Sequence, residues 1–167
     1  MNGTTTVYLS GNISPDPATY EWRKKATNLL SRQSADRRPL FQAPANSIRI
    51  IDPTDCFFNF EMRNKLTMQE LVAFVAEHQS DVNLLCEKDY NFIVESDITF
   101  ANLQLVHPDK PLIGTIAELA WAWEHKKIVI AIQGDNWYCK EPFIRRFVNS
   151  WVDSVEEGCD LILRHWR

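Results

Sequence analysis

The stretch GTIAELAWAWEHKKIVIAI, residues 114–132, decides how this chain is read. Residues 115–126 predict a helix that is apolar nearly all round, and residues 127–132 a strand with no polar side chain after its first lysine. A strand of that kind is covered on both faces, as in a parallel sheet carrying helices on each side. A lone glutamate, Glu118, stands near the mouth of the helix. Two readings of it are open. Thr115-x-x-Glu118 fits a capping box, in which hydroxyl and carboxylate satisfy free amides at a helix start. Alternatively, the carboxylate is a nucleophile at the carboxyl edge of a parallel sheet, where open α/β folds bind ligands.

The alternation continues outward. TVYLSG (6–11) predicts a strand ending at a glycine, and ATYEWRKKATNLLSRQ (18–33) an amphipathic helix. SIRIID (47–52) predicts a second strand, stopped by Asp52-Pro53. Residues 55–66 are open and could form a surface excursion near a pocket. Residues 67–97 carry two helical patterns with a break near Gln79–Ser80, and ITFANLQLV (98–106) predicts a third strand. Beyond the fourth strand, 142–158 predicts one helix with Gly158 as its C-terminal stop, and CDLILR (159–164) a fifth strand or a packed tail. The expectation is an α/β fold: a single domain over 1–167 with an open parallel sheet of about five strands, right-handed crossovers and helices on both faces.

Composition narrows the function. The chain has 167 residues, 45% hydrophobic and 24% charged, which is ordinary for a soluble domain. A net charge of −4 offers a polyanion nothing, so nucleic acid is not an expected partner. The four cysteines, Cys56, Cys86, Cys139 and Cys159, include no C-x-x-C pair and read as reduced thiols of a cytoplasmic protein. The four histidines are isolated, so no zinc site is legible and no metal or cofactor is expected. The opening MNGTTTVYLSG lacks a basic n-region, and no run approaches the ~20 apolar residues of a membrane span.

The familiar signatures are missing as well: there is no G-x-G-x-x-G turn, no Walker A loop and no G-x-S-x-G elbow. What remains is a set of polar groups at the expected carboxyl ends of strands. Gly11 and Asn12 follow strand one, Asp52 strand two and Asn102 strand three, with Glu118 beyond it; Asp135 and Asn136 follow strand four. Asp89 and Asp97 are eight residues apart, close to two helical turns, so both could share one face. Each has a structural reading too. Asp97 would be a turn residue, Tyr8 a core residue with its hydroxyl bonded to a neighbour, and Trp22 with Arg23 a cover over the sheet.

Five pieces, in order from residue 7 to residue 132, resemble one family: VYLSGNIS, EWR (21–23), IIDPT, EKDYNFIVESDITFANL and GTIAELAWAWEHKKIVIAI. The chain resembles the nucleoside 2-deoxyribosyltransferases and the related 2'-deoxynucleoside 5'-phosphate N-hydrolases, whose fold is Rossmann- or flavodoxin-like. The resemblance implies an enzyme that cleaves the N-glycosidic bond of 2'-deoxynucleosides or their 5'-monophosphates through a glutamyl-deoxyribosyl intermediate. Glu118 would be the nucleophile and Tyr8 would orient it. Asp89, first acid of a D-x7-D block, would protonate the departing base, and Asp97 would support the strand start. Gly11, Asn12, Trp22, Asp97, Asn102, Gly114 and Thr115 are the further substrate-binding candidates, with Asn136 as the candidate for a residue donated by a neighbouring subunit.

The resemblance has a gap. The carboxylate or hydroxyl that commonly stands six residues before the nucleophile, holding the sugar's 5' end, is here Leu112. The alternatives are cleavage of another N-riboside, such as the nicotinamide bond of NAD, or a nucleotide-binding domain without turnover. A homo-oligomer with its site near the interface is also expected. Trp121 and Trp123, two apart on one helix, cannot both pack on the sheet.

Overall fold

The computed structural model describes residues 3–14, 16–36, 47–55, 68–104 and 111–165. In chain order its elements are β1 (Thr5–Gly11), α1 (Ala18–Asp36), β2 (Ile48–Ile51), α2 (Met68–Glu77), α3 (Gln79–Glu95) and β3 (Ile98–Asn102). There follow α4 (Ile113–Glu124), β4 (Ile128–Ile132), α5 (Pro142–Phe147), β5 (Ser150–Val152) and α6 (Val155–His165). The five strands form one sheet in the order β2-β1-β3-β4-β5, every pair parallel. The chain steps from β1 to β2 on one side and returns to β3 on the other. The switch point therefore lies between β1 and β3, where Gly11 pairs with Asn102, and such crevices bind ligands in open α/β sheets.

Alternation along the central strands separates two cores. Val7, Leu9, Ile98, Phe100, Ile130 and Ile132 face one way and pack against Trp22, Ala26 and Leu30 of α1 and Ile162 and Leu163 of α6. Tyr8, Ala101, Val129 and Ala131 face the other way, against Ile93 of α3, Leu119 and Ala122 of α4 and Ile144 of α5. This double burial explains why strands three and four read as unbroken apolar runs. No helix among the described residues is long and apolar enough to cross a membrane.

Three expectations are corrected. First, 142–158 is not one helix: α5 ends at Phe147 and the chain enters β5. Asn149 fixes that entry, its N–H donating to the Val129 carbonyl at 2.9 Å and its Oδ1 accepting the Val129 N–H at 2.8 Å. Phe147, Val148, Trp151 and Val152 suit a helical period equally well, and pairing with β4 outweighs it. Second, residues 159–164 are helix, not strand. Gly158 is not a stop but lies inside α6; a Cβ there would come within 2.4 Å of Phe100 Cε2 and Cζ, so its bareness lets α6 lie on the sheet. Third, α4 begins at Ile113 with Leu112 as N-cap and no side-chain cap. Thr115 is thus the third helical residue, and the capping box does not form. Residues 105–110 and 56–67, including parts of the third strand and of the 55–66 excursion, lie outside the described residues.

The opening stretch itself turns by a C-terminal motif. Lys126 N–H donates to Trp123 O at 3.1 Å and Lys127 N–H to Ala122 O at 2.9 Å. Between them Lys126 takes φ 56, a left-handed position that glycine usually fills. The helix can then feed directly into β4.

Candidate active site

Residues two apart on a strand share a face, and on β1 these are Tyr8 and Ser10, both fully buried. Glu118, one and a half turns into α4, reaches back across this face. Its Oε1 accepts the Tyr8 hydroxyl at 2.9 Å, and its Oε2 accepts the Ser10 hydroxyl. Both oxygens are held, and each keeps a lone pair free. With the capping box excluded, these bonds account for the carboxylate.

Burial pushes the Glu118 carboxyl above its ordinary range, while the Ser10 and Tyr8 hydrogen bonds and the Arg23 charge oppose that rise. Asp89, half-buried on α3, is pushed up to about 7, first by burial and then by the Glu118 charge. Among the described residues its buried Oδ1 has no hydrogen-bond partner, an orphan atom of the kind a ligand completes. Tyr8 is held well above its usual value by burial and by the charges of Glu118 and Asp89, so it stays a neutral donor. The three residues form one electrostatic unit: a braced carboxylate, a phenol donor, and a carboxyl that keeps its proton near neutrality.

A buried cation supports the rim. Arg23, 1% exposed, donates to the carbonyls of Gly11 at 2.8 Å, Asn12 at 3.2 Å and Thr19 at 2.6 Å. Its Nε lies 3.5 Å from Asp52 Oδ1, and Asp52 in turn accepts the Thr54 N–H at 3.0 Å and hydroxyl at 2.7 Å. Gly11 lies in tight quarters here, because a Cβ would meet Trp22 Cζ2 at 3.1 Å and Asn102 O at 3.3 Å. Arg23 thus clamps the carboxyl ends of β1 and β2 together.

The remaining candidates divide. Gly11, Asn12 and Asn102 stand at the switch point, and the Asn102 side chain is engaged in a turn, accepting Gln104 N–H at 2.9 Å. Gly114 and Thr115 lie in the first turn of α4, Gly114 in open space and Thr115 buried. Trp22 packs on the opposite sheet face, edge-on to Phe100 at 6.0 Å, so it is not brought to Glu118. Asp97 lies beyond the end of α3 rather than on a helical face with Asp89. It accepts the Thr6 N–H at 2.8 Å, at the opposite end of the strands from Gly11, and so supports the sheet instead of the crevice. Asn136 is bonded within its own chain, donating to Leu103 O at 2.7 Å and accepting Cys139 N–H at 3.2 Å. Leu112 is core, 2% exposed.

Ser10 and Arg23 belong to no general motif, yet each carries a signal. Ser10 follows Tyr8 by two on a strand. Arg23 falls on the stripe Thr19, Arg23, Ala26, Leu30 that faces the core. A separate cavity of about 430 Å³, lined by Lys24, Asn28, Asp52 and Thr54 among others, opens against α1 and β2 and includes none of Glu118, Tyr8 or Asp89. Among the described residues, no three His, Cys, Asp or Glu side chains gather as a metal site.

No protein-family model matches the chain, and neither does any curated protein sequence. Among solved structures, it is similar to a 2-deoxyribosyltransferase from Bacillus psychrosaccharolyticus, at 14% identity and a TM-score of 0.57 over 92% of this chain and 89% of that one. It is similar also to a 2-deoxyribosyltransferase from Leishmania mexicana, at 16% identity and a TM-score of 0.56 over 98% of this chain and 99% of that one. At such identities the likeness establishes a shared fold.

Proposed function

We propose that this chain is a member of the nucleoside 2-deoxyribosyltransferase family and cleaves the N-glycosidic bond of 2'-deoxynucleosides or their 5'-monophosphates. Glu118 attacks the anomeric carbon, and the deoxyribosyl group passes from it to a second base or to water. The observation that carries this reading is the pairing of two carboxyls in opposed environments. Glu118 is braced by Tyr8 and Ser10, while Asp89 holds its proton up to about pH 7. Breaking a C–N glycosidic bond builds positive charge at the sugar and negative charge on the base. It calls for one carboxylate to meet the first and one acid to meet the second. The fold shared with two 2-deoxyribosyltransferases supports the same conclusion.

For the 5' end, the first turn of α4 takes the place of the missing side chain. The buried Leu112 offers no polar group, whereas the opening amides of a helix favour an oxygen-rich or anionic group. The direct test is to follow free base released from deoxynucleosides, their 5'-monophosphates and NAD, with and without an acceptor base. Release from the deoxy compounds alone supports the reading; release from NAD alone overturns it.

The proposal includes a cytoplasmic homo-oligomer with the crevice near the interface. Ile113 at 72% and Trp123 at 48% exposure lie on α4, the helix of Glu118, and Phe143 at 74% on neighbouring α5. Trp123 meets Phe147 at 5.8 Å yet stays half uncovered, and aromatic residues of this kind are enriched in interfaces. Light scattering at micromolar concentration tests it: a mass near 19.4 kDa with full activity defeats the shared interface.

A further inference from the structure

Ser10 does nothing for the sheet that alanine could not do, since its partner across the β1–β3 pairing is Ala101. Its hydroxyl is spent on Glu118 Oε2 in a position with no exposure to solvent. We propose that Ser10 is a catalytic residue of the second half-reaction, the donor that lets Glu118 leave the sugar and so sets how fast the covalent intermediate turns over. This rests on the glutamyl-intermediate reading above.

The electron pairs decide which step gains. In the first step a Glu118 oxygen donates a pair to C1' while the C1'–N bond breaks; that pair moves to the base nitrogen, which takes the proton from Asp89. The carboxylate loses its charge, so the Ser10 bond weakens as the step proceeds. In the second step an acceptor nitrogen or water donates a pair to C1' while the C1'–O bond breaks. Its pair returns to Glu118, and the acceptor's proton passes to Asp89. Charge now grows on the oxygens that Ser10 and Tyr8 face, and a fixed donor aimed at developing charge lowers a barrier. A hydrogen bond to a charged group is also stronger than one to an ester oxygen. Ser10 therefore slows attack slightly and speeds release of the sugar. Buried away from water, it has no competing partner.

The test uses 7-methyl-2'-deoxyguanosine, whose base departs without needing a proton, with quenched-flow detection of free base at pH 8. Ser10→Ala is expected to give a stoichiometric burst of base at the wild-type rate or faster. A steady state roughly 10- to 100-fold slower should follow, with the deoxyribosyl adduct visible in the intact mass. Ser10→Cys, close in size and a weaker donor, should fall between. An unchanged steady state in Ser10→Ala, or a burst slowed as much as the steady state, overturns the assignment while leaving the glutamyl reading in place. A wild-type protein that releases no base overturns that reading and this one with it, before any variant is compared.

Discussion

The hydroxyl of Tyr8 lies 2.9 Å from Glu118 Oε1, joining the central strand to a helix residue 110 positions further along the chain. The bond favours the ionised carboxylate against the burial that favours its protonation. Tyr8→Phe keeps the ring and removes the donor, so the pH at which Glu118 ionises should rise. The acidic limb of kcat/KM is expected to move to higher pH, because the hydrogen bond that lowers the carboxyl's pKa is gone. A full pH profile checks this. An unshifted limb would mean that the phenol does not bear on the reacting carboxylate.

Asp89 gives a prediction of each kind. As general acid it must hold its proton, so activity on ordinary bases should fall as pH rises through about 7. Asp89→Asn should lose about 10²- to 10⁴-fold there and much less on a base that departs unprotonated. Stability has a definite sign. The folded protein keeps this proton up to about 7, whereas the unfolded chain releases it near 3.8, so burial of Asp89 destabilises the fold increasingly across that window. Asp89→Asn should melt above wild type at pH 8, with the gain fading below about pH 4. Equal melting shifts at both pH values would contradict the raised ionisation.

Arg23 is the structural counterpart. Its side chain serves three carbonyls and faces Asp52, and removing one partner of a buried charged cluster costs about 3–5 kcal/mol. Arg23→Met should lose stability on that scale in urea titration. Arg23→Lys should recover little, because an ammonium cannot reproduce the fork. Recovery to wild-type stability with lysine would show that charge alone suffices.

Lys126 offers a gain. Its φ of 56 costs an L-residue about 1 kcal/mol relative to glycine. Lys126→Gly should raise the melting temperature by a few degrees without changing activity. A lower melting temperature would mean that the lysine side chain holds the α4–β4 turn by contacts of its own.

Period and residue type made the sheet legible. Strands buried on both faces, such as 128–132, announce themselves, and the glycine and Asp-Pro stops mark their ends. The C-terminal third is different, because Phe147, Val148, Trp151 and Val152 fit a helix as well as a strand. Only the unpaired edge of β4, a tertiary fact, decides between them. The same holds in the crevice. Glu118 stands out by type and position, whereas the roles of Tyr8 and Asp89 are ones the family resemblance implies, and the capping box at Thr115 depends on a helix start three residues later than the real one. The fates of Asp97 and Asn136 turn on the long-range bonds to Thr6 and Leu103, which no local pattern encodes. Arg23 is legible as a cover over the sheet and as part of the EWR piece, but its clamp on three carbonyls and Asp52 is a tertiary fact.

Glu118→Gln is the most direct measurement. Glutamine keeps the size of the side chain and still accepts hydrogen bonds through one oxygen, so the fold should persist, as circular dichroism and melting can verify. It cannot attack an anomeric carbon. Base release from deoxynucleosides and deoxynucleotides is therefore predicted to vanish, along with any sugar adduct on the peptide that carries residue 118. A well-folded Glu118→Gln protein that releases base at the wild-type rate would contradict the nucleophile assignment.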